Sequence, residues 1–68
     1  MTLVGVVGAF SNLRGDGVIV SDAGESLYFH CVSILDGSRT IDVGTVVVGN
    51  RRVGHLGSDE VEAVAPAP

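Results

Sequence analysis

Tryptophan and lysine are absent from this 68-residue chain, which carries only one cysteine, one tyrosine and two phenylalanines. With Cys31 alone, no disulfide can staple the fold, and a single thiol fits a reducing compartment better than an oxidising one. Cys31 is read as a small apolar side chain, buried or half-buried. His30, Cys31 and His55 lack the paired spacing of a zinc site, so no metal is expected. Basic charge is also scarce: four Arg (Arg14, Arg39, Arg51, Arg52) stand against eight acidic residues, for a net charge of −4. Non-specific binding to nucleic acid driven by electrostatics needs a basic excess, and this composition excludes that mode.

Long apolar runs and apolar residues at 3.6-residue spacing are missing as well, which excludes a membrane-spanning helix and a long amphipathic one. The opening "MTLVGVVGAFSNLRG" has no basic residue ahead of its apolar stretch, so no leader is read there. The expectation is a soluble, cytoplasmic protein without membrane association. Ser, His, Cys and Asp are present but at no spacing that gathers a nucleophile, base and orienting acid, so the chain is not expected to be an enzyme. No G-x-G-x-x-G opens a helix, so a dinucleotide cofactor is not expected, nor is any other cofactor.

What the chain does have is valine and 10 glycines. Valine is stiff at χ1 and suits strands; glycine weakens helices and punctuates turns. Five strands can be drawn, over 3–11, 17–21, 26–31, 45–50 and 60–65, with a short helical turn at 32–35. Gly5 and Gly8 predict a bulge or strong coil in the first strand. "SNLRGDG" and "SDAGE" supply turn chemistry, with Gly24 suited to positive φ. Its embedded "RGD" is a turn with Gly15 in an unusual conformation rather than an adhesion motif. "DGSRTIDVG" and "RRVGHLGSD" read as loops, with strand possible at the start of the second. Arg51 and Arg52 there could contact phosphate or simply be solvated, and His55 is read as exposed or lightly packed. Asp59, Glu60 and Glu62 read as a solvated face.

Five short strands cannot build two covered layers, but they can close into a barrel that fills its own interior. The expected fold is therefore all-β, a five-stranded antiparallel barrel of the oligonucleotide/oligosaccharide-binding type, as one domain over 1–65 with a frayed tail at 66–68. The expected interior is Val7, Ile19, Phe29, Ile34, Val46, Val48 and Val64.

The order of "GVVGAFS", "RGDGVIV", "LYFHC", "RTIDVG" and "EVEAV" resembles the cold-shock domain family, from Leu3 to Val64. The resemblance implies binding of single-stranded RNA or DNA on an exposed face of the second and third strands, where aromatic rings stack on bases. Compared position by position, the family's Phe after the first-strand Trp is kept as Phe10, the first third-strand Phe becomes Tyr28, and the His is kept as His30. A basic residue survives as Arg14. Rings are replaced at Ala9, Asp16, Val18, Cys31 and, in the long loop, Ser38. Stacking is worth about 1–3 kcal/mol per base, so even at the low end these losses remove roughly 5 kcal/mol, more than a thousandfold in affinity.

In the stretch "LYFHC", Tyr28 and His30 are two residues apart and share one strand face, while Phe29 points to the other. The expected nucleic-acid-binding residues are Phe10, Tyr28 and His30 for stacking, Val18 for an apolar contact, and Arg14 and Arg39 for phosphate. Affinity is expected to be weak, with little sequence selectivity. The alternative is a barrel that has lost this role and serves as a protein-interaction module, with a homodimer as one form, through Val18, Tyr28 and Cys31.

Overall fold

The computed structural model describes residues 2–54 and 58–68. His55 lies outside the described residues, and so does its reading as an exposed or lightly packed side chain. Five strands form: β1 (Thr2–Ser11), β2 (Asp16–Ser21), β3 (Ser26–His30), β4 (Val46–Val53) and β5 (Asp59–Pro66). They close into a barrel in the order β1-β2-β3-β5-β4. A single 3₁₀ turn, Cys31–Ser33, follows β3 where the sequence predicts a helical turn.

Neighbouring strands run antiparallel except β3 and β5, which meet in parallel at Tyr28 and Glu60. Direction cannot alternate around a closed ring of odd number, so one parallel seam is unavoidable. The seam is short, and an isolated parallel bridge between Ile34 and Val64 extends the contact beyond β3.

Alternation along β1 places Gly5 and Val7 inward. The register with β2 slips between Val7 and Ala9, so Gly8 is the bulge that the glycines of this strand predict. Gly5 is buried; a Cβ there would meet Val20 O at 2.6 Å and Ile19 Cγ2 at 2.7 Å. The turn glycines also behave as expected: Gly15 and Gly24 have φ of +74° and +86°.

The core is Val7, Ile19, Leu27, Phe29, Ile34, Val47, Val61 and Val64. Two expected members are corrected: Val46 is 49% exposed and Val48 is only half-buried. The parity of a run of three valines is undetermined by the run itself, and a one-residue shift turns every side chain over. The register with β1 decides it. Val47 lies opposite inward-facing Gly5, while Val46 and Val48 lie opposite outward-facing Val6 and Val4.

β5 runs one residue past its expected end at Ala65. Pro66 ends β5 opposite Val47, and Ala67 N–H donates to Val46 O at 2.8 Å. Proline cannot donate, but the donor used here belongs to the next residue.

Candidate functional site

The outward face of β2 and β3 is built by strict alternation. Asp16, Val18 and Val20 face out on β2 while Gly17, Ile19 and Ser21 face in; Tyr28 and His30 face out on β3 while Leu27 and Phe29 face in. The register sets Asp16 opposite His30 and Val18 opposite Tyr28. Tyr28 and His30 therefore stand on one exposed surface, as their spacing predicts.

Phe10 takes a different position. It lies opposite inward-facing Gly17, is half-buried, and packs its ring on that of Phe29, with centroids 5.8 Å apart and planes inclined by 20°. The absence of a side chain at Gly17 makes room for this stack: a Cβ there would meet Phe29 Cε1 at 2.9 Å, Phe10 Cδ1 at 3.0 Å and the carbonyl of Ala9. Phe10 thus bridges core and surface at the open end of β1.

A hollow of about 230 Å³ lies on this face, lined by Ala9, Phe10, Arg14, Asp16, Val18 and Tyr28 among others. It gathers Phe10, Arg14, Val18 and Tyr28 from the sequence-predicted set. His30 borders the same surface through its place opposite Asp16.

At the centre of the polar contacts is Asp16. Its Oδ2 accepts from Tyr28 Oη–H at 3.1 Å and from Arg14 Nη2–H at 3.1 Å. Its side chain is 14% exposed, against 73% for Arg14. Tyr28 and Asp16 are diagonal cross-strand neighbours, a separation that a long side chain spans. Partial desolvation first, and then the bond to the Asp16 carboxylate, hold the Tyr28 phenol above its ordinary pKa. Tyr28 therefore remains a neutral hydrogen-bond donor across the neutral range. In the sequence Asp16 reads only as a lost ring; its role in orienting Tyr28 depends on strand register.

His30 is tied at one nitrogen. Its Nδ1 accepts the backbone N–H of Val32 at 3.3 Å and caps the 3₁₀ turn. That geometry assigns the neutral ring's proton to Nε2, which is left as a donor. Cys31 is half-buried against the core, and its Sγ lies where a Cβ on Gly15 would approach to 3.0 Å.

The four guanidinium groups divide sharply. Arg51 and Arg52 lie on β4, where the start of their segment was open to strand. Arg51 donates to both oxygens of Glu25, at 2.7 and 2.6 Å, and through Nε to Asp59 at 2.6 Å. Arg52 pairs with Glu62 at 3.2 Å. Asp59 and Glu62 thus act as ion-pair partners on the acidic face. Arg14 shares Asp16, and Arg39 has no carboxylate partner among the described residues.

Arg39 sits in the long loop with φ of +60°, the left-handed region that side chains rarely adopt. Asp36 Oδ1 accepts the Ser38 N–H at 2.9 Å, and that bond holds the Asp36 carboxyl below its ordinary pKa. Thr40 Oγ1–H donates to Asn12 Oδ1 at 2.8 Å, fastening the loop to the β1–β2 turn. Arg39 thereby directly precedes the residue that fastens the loop to the β1–β2 turn. The Asn12–Thr40 contact is a second feature that sequence spacing does not disclose.

No protein-family model matches the sequence, and no curated protein matches it either. The fold does have a counterpart among solved structures. The CSD456 segment of Drosophila Unr, made of cold-shock domains, superimposes with a TM-score of 0.81 at 20% sequence identity, covering 100% of this chain and 27% of the Unr segment. The chain has the fold of a cold-shock domain.

Proposed function

We propose that this chain is a non-enzymatic binding module for single-stranded nucleic acid, using the outward face of β2 and β3. The observation that carries this reading is the joint exposure of Tyr28 and His30 beside a hollow lined by Phe10, Arg14 and Val18. Tyr28 and His30 stack on bases, Phe10 closes one end of the surface, and Val18 adds an apolar contact where the family resemblance expects a ring. Arg14 and Arg39 meet phosphate. Stacking tolerates every base, so selectivity along most of the strand is low, and the thin supply of rings and free cations keeps affinity weak. A single thiol accords with a reducing compartment such as the cytoplasm.

The test is a heteronuclear NMR titration with oligo-dT and oligo-U. Shifts concentrated at Val18, Tyr28 and His30 support the reading; an unperturbed spectrum at millimolar oligonucleotide rejects it.

One observation favours a second reading, a protein-interaction module or homodimer. Val46, Val6 and Val20 form a row across β4, β1 and β2, exposed by 49%, 41% and 37%, with Val4 beside them. This apolar surface differs from the one expected at Val18, Tyr28 and Cys31. Gel filtration with light scattering checks it: a monomer at high concentration excludes the homodimer.

A further inference from the structure

Asp16 occupies the middle of the proposed binding face, and its bonding is half complete. A carboxylate only accepts hydrogen bonds and has about four lone-pair sites. Tyr28 and Arg14 both bond to Oδ2, and no described group donates to Oδ1. The side chain is 14% exposed and lines the hollow. No buried side-chain nitrogen or oxygen among the described residues lacks a partner, so Oδ1 opens onto the hollow and its lone pairs are accessible to a ligand that brings donors.

The space itself is small. About 230 Å³ lies below the range of pockets for drug-sized ligands and suits one planar base. It is open because Ala9, Gly17 and Val18 line it with short side chains.

Resting on the reading that this face binds single strands, we infer that the hollow seats one guanine, whose N1–H and N2–H donate to Asp16 Oδ1. Single strands expose the Watson–Crick edge to proteins. Guanine presents two adjacent, parallel donors on that edge, and one oxygen with open lone pairs can take both. Adenine and cytosine present one amino donor next to a ring-nitrogen acceptor. Uracil and thymine present one N–H between two carbonyl oxygens. Each of these sets an acceptor against the carboxylate. The Arg14 guanidinium offsets the charge of Asp16, so the strand's phosphates are not driven from the site. Asp16 is then a base-reading group at one position of a strand otherwise held by stacking.

The test uses fluorescein-labelled heptamers of oligo-dT with the central residue replaced by dG, dA, dC or deoxyinosine, read by anisotropy at low salt. A single dG should tighten binding about tenfold over the all-dT strand, while dA and dC give no gain. Deoxyinosine, which lacks the N2 amino group, should lose most of the gain. Asp16→Asn, with folding verified by circular dichroism, should level the series. If all heptamers bind alike and Tyr28→Ala weakens them together, the guanine proposal is overturned while the nucleic-acid reading stands. A dG gain that survives in Asp16→Asn overturns it equally. If no heptamer binds at millimolar protein, both readings fall.

Discussion

Two outward faces of one barrel are built from the same alternation and end with opposite chemistry. On β1 and β4 two facing outward pairs are valines, Val4 and Val6 opposite Val48 and Val46. On β2 and β3 the outward positions include Asp16, Tyr28 and His30, with Val18 between. That valine patch offers apolar area without charge. The second face holds an acceptor, two donors and a ring in fixed relation, because Asp16 orients both Tyr28 and Arg14. Charge follows the same division. Arg51 and Arg52, on β4, are engaged by Glu25, Asp59 and Glu62, whereas Arg39 and the largely exposed Arg14 lie toward the β1–β2 turn. Arg14 shares Asp16, and Arg39 has no carboxylate partner among the described residues, so in a chain with a net charge of −4 the least engaged cation lies in the long loop.

The harshest way to break the comparison is to remove what both faces share. Phe29 is fully buried and supports the Phe10 ring. Phe29→Ala should destabilise the domain by about 3–5 kcal/mol, enough to unfold much of a chain this small, as a urea titration followed by circular dichroism would show.

The valine run on β4 provides the next contrast. Val47→Ala should cost about 2 kcal/mol, from lost methyl burial and the cavity left, while Val46→Ala at an exposed site should stay within about 0.5 kcal/mol. Equal effects in chemical denaturation would refute the register.

Function should separate the faces as well. Tyr28→Ala should weaken oligonucleotide binding by about 1–3 kcal/mol, and Val6→Ser should leave it unchanged in the same fluorescence titration. Inverted results would move the site to the valine face.

The cations give a smaller contrast. Arg39→Gln should reduce the slope of log K against log salt by about 0.7 for a single strand, whereas Arg52→Gln should not change it.

The smallest effect concerns pH. The hydrogen bonds from Arg51 hold the exposed Glu25 carboxyl below its ordinary range. A lowered native pKa means that the link's contribution is complete above the unfolded-state pKa and fades as pH falls through the native one. In Glu25→Gln the acid limb of stability against pH should be flatter, measurable as a smaller change in Tm on acidification.

Much of this was legible from residue order. Valine and glycine content, turn residues and the interrupted first strand were enough to predict five strands and closure, and Gly8, Gly15 and Gly24 behave as such positions should. The spacing of Tyr28 and His30 was enough to place both on one face, because period two is a local property. Leu27 was missed as a core residue although the same alternation from Phe29 points to it. Val61 and Val64 face the core three residues apart, and no period-two rule anticipates that. Ala63 between them adopts φ of +55° where the β4–β5 register slips.

By itself, then, the sequence determined the strand content, the turns and which neighbours along a strand share a side. The tertiary structure decided the parity of β4, the burial of Phe10, the engagement of Arg51 and Arg52, and the half-bonded state of Asp16. The physical reason is that alternation and turn chemistry act within a few residues. Register and ion pairing are settled only when distant strands meet: β1 selects Val47 over its two neighbours, and Glu25 reaches Arg51 across 26 residues of chain.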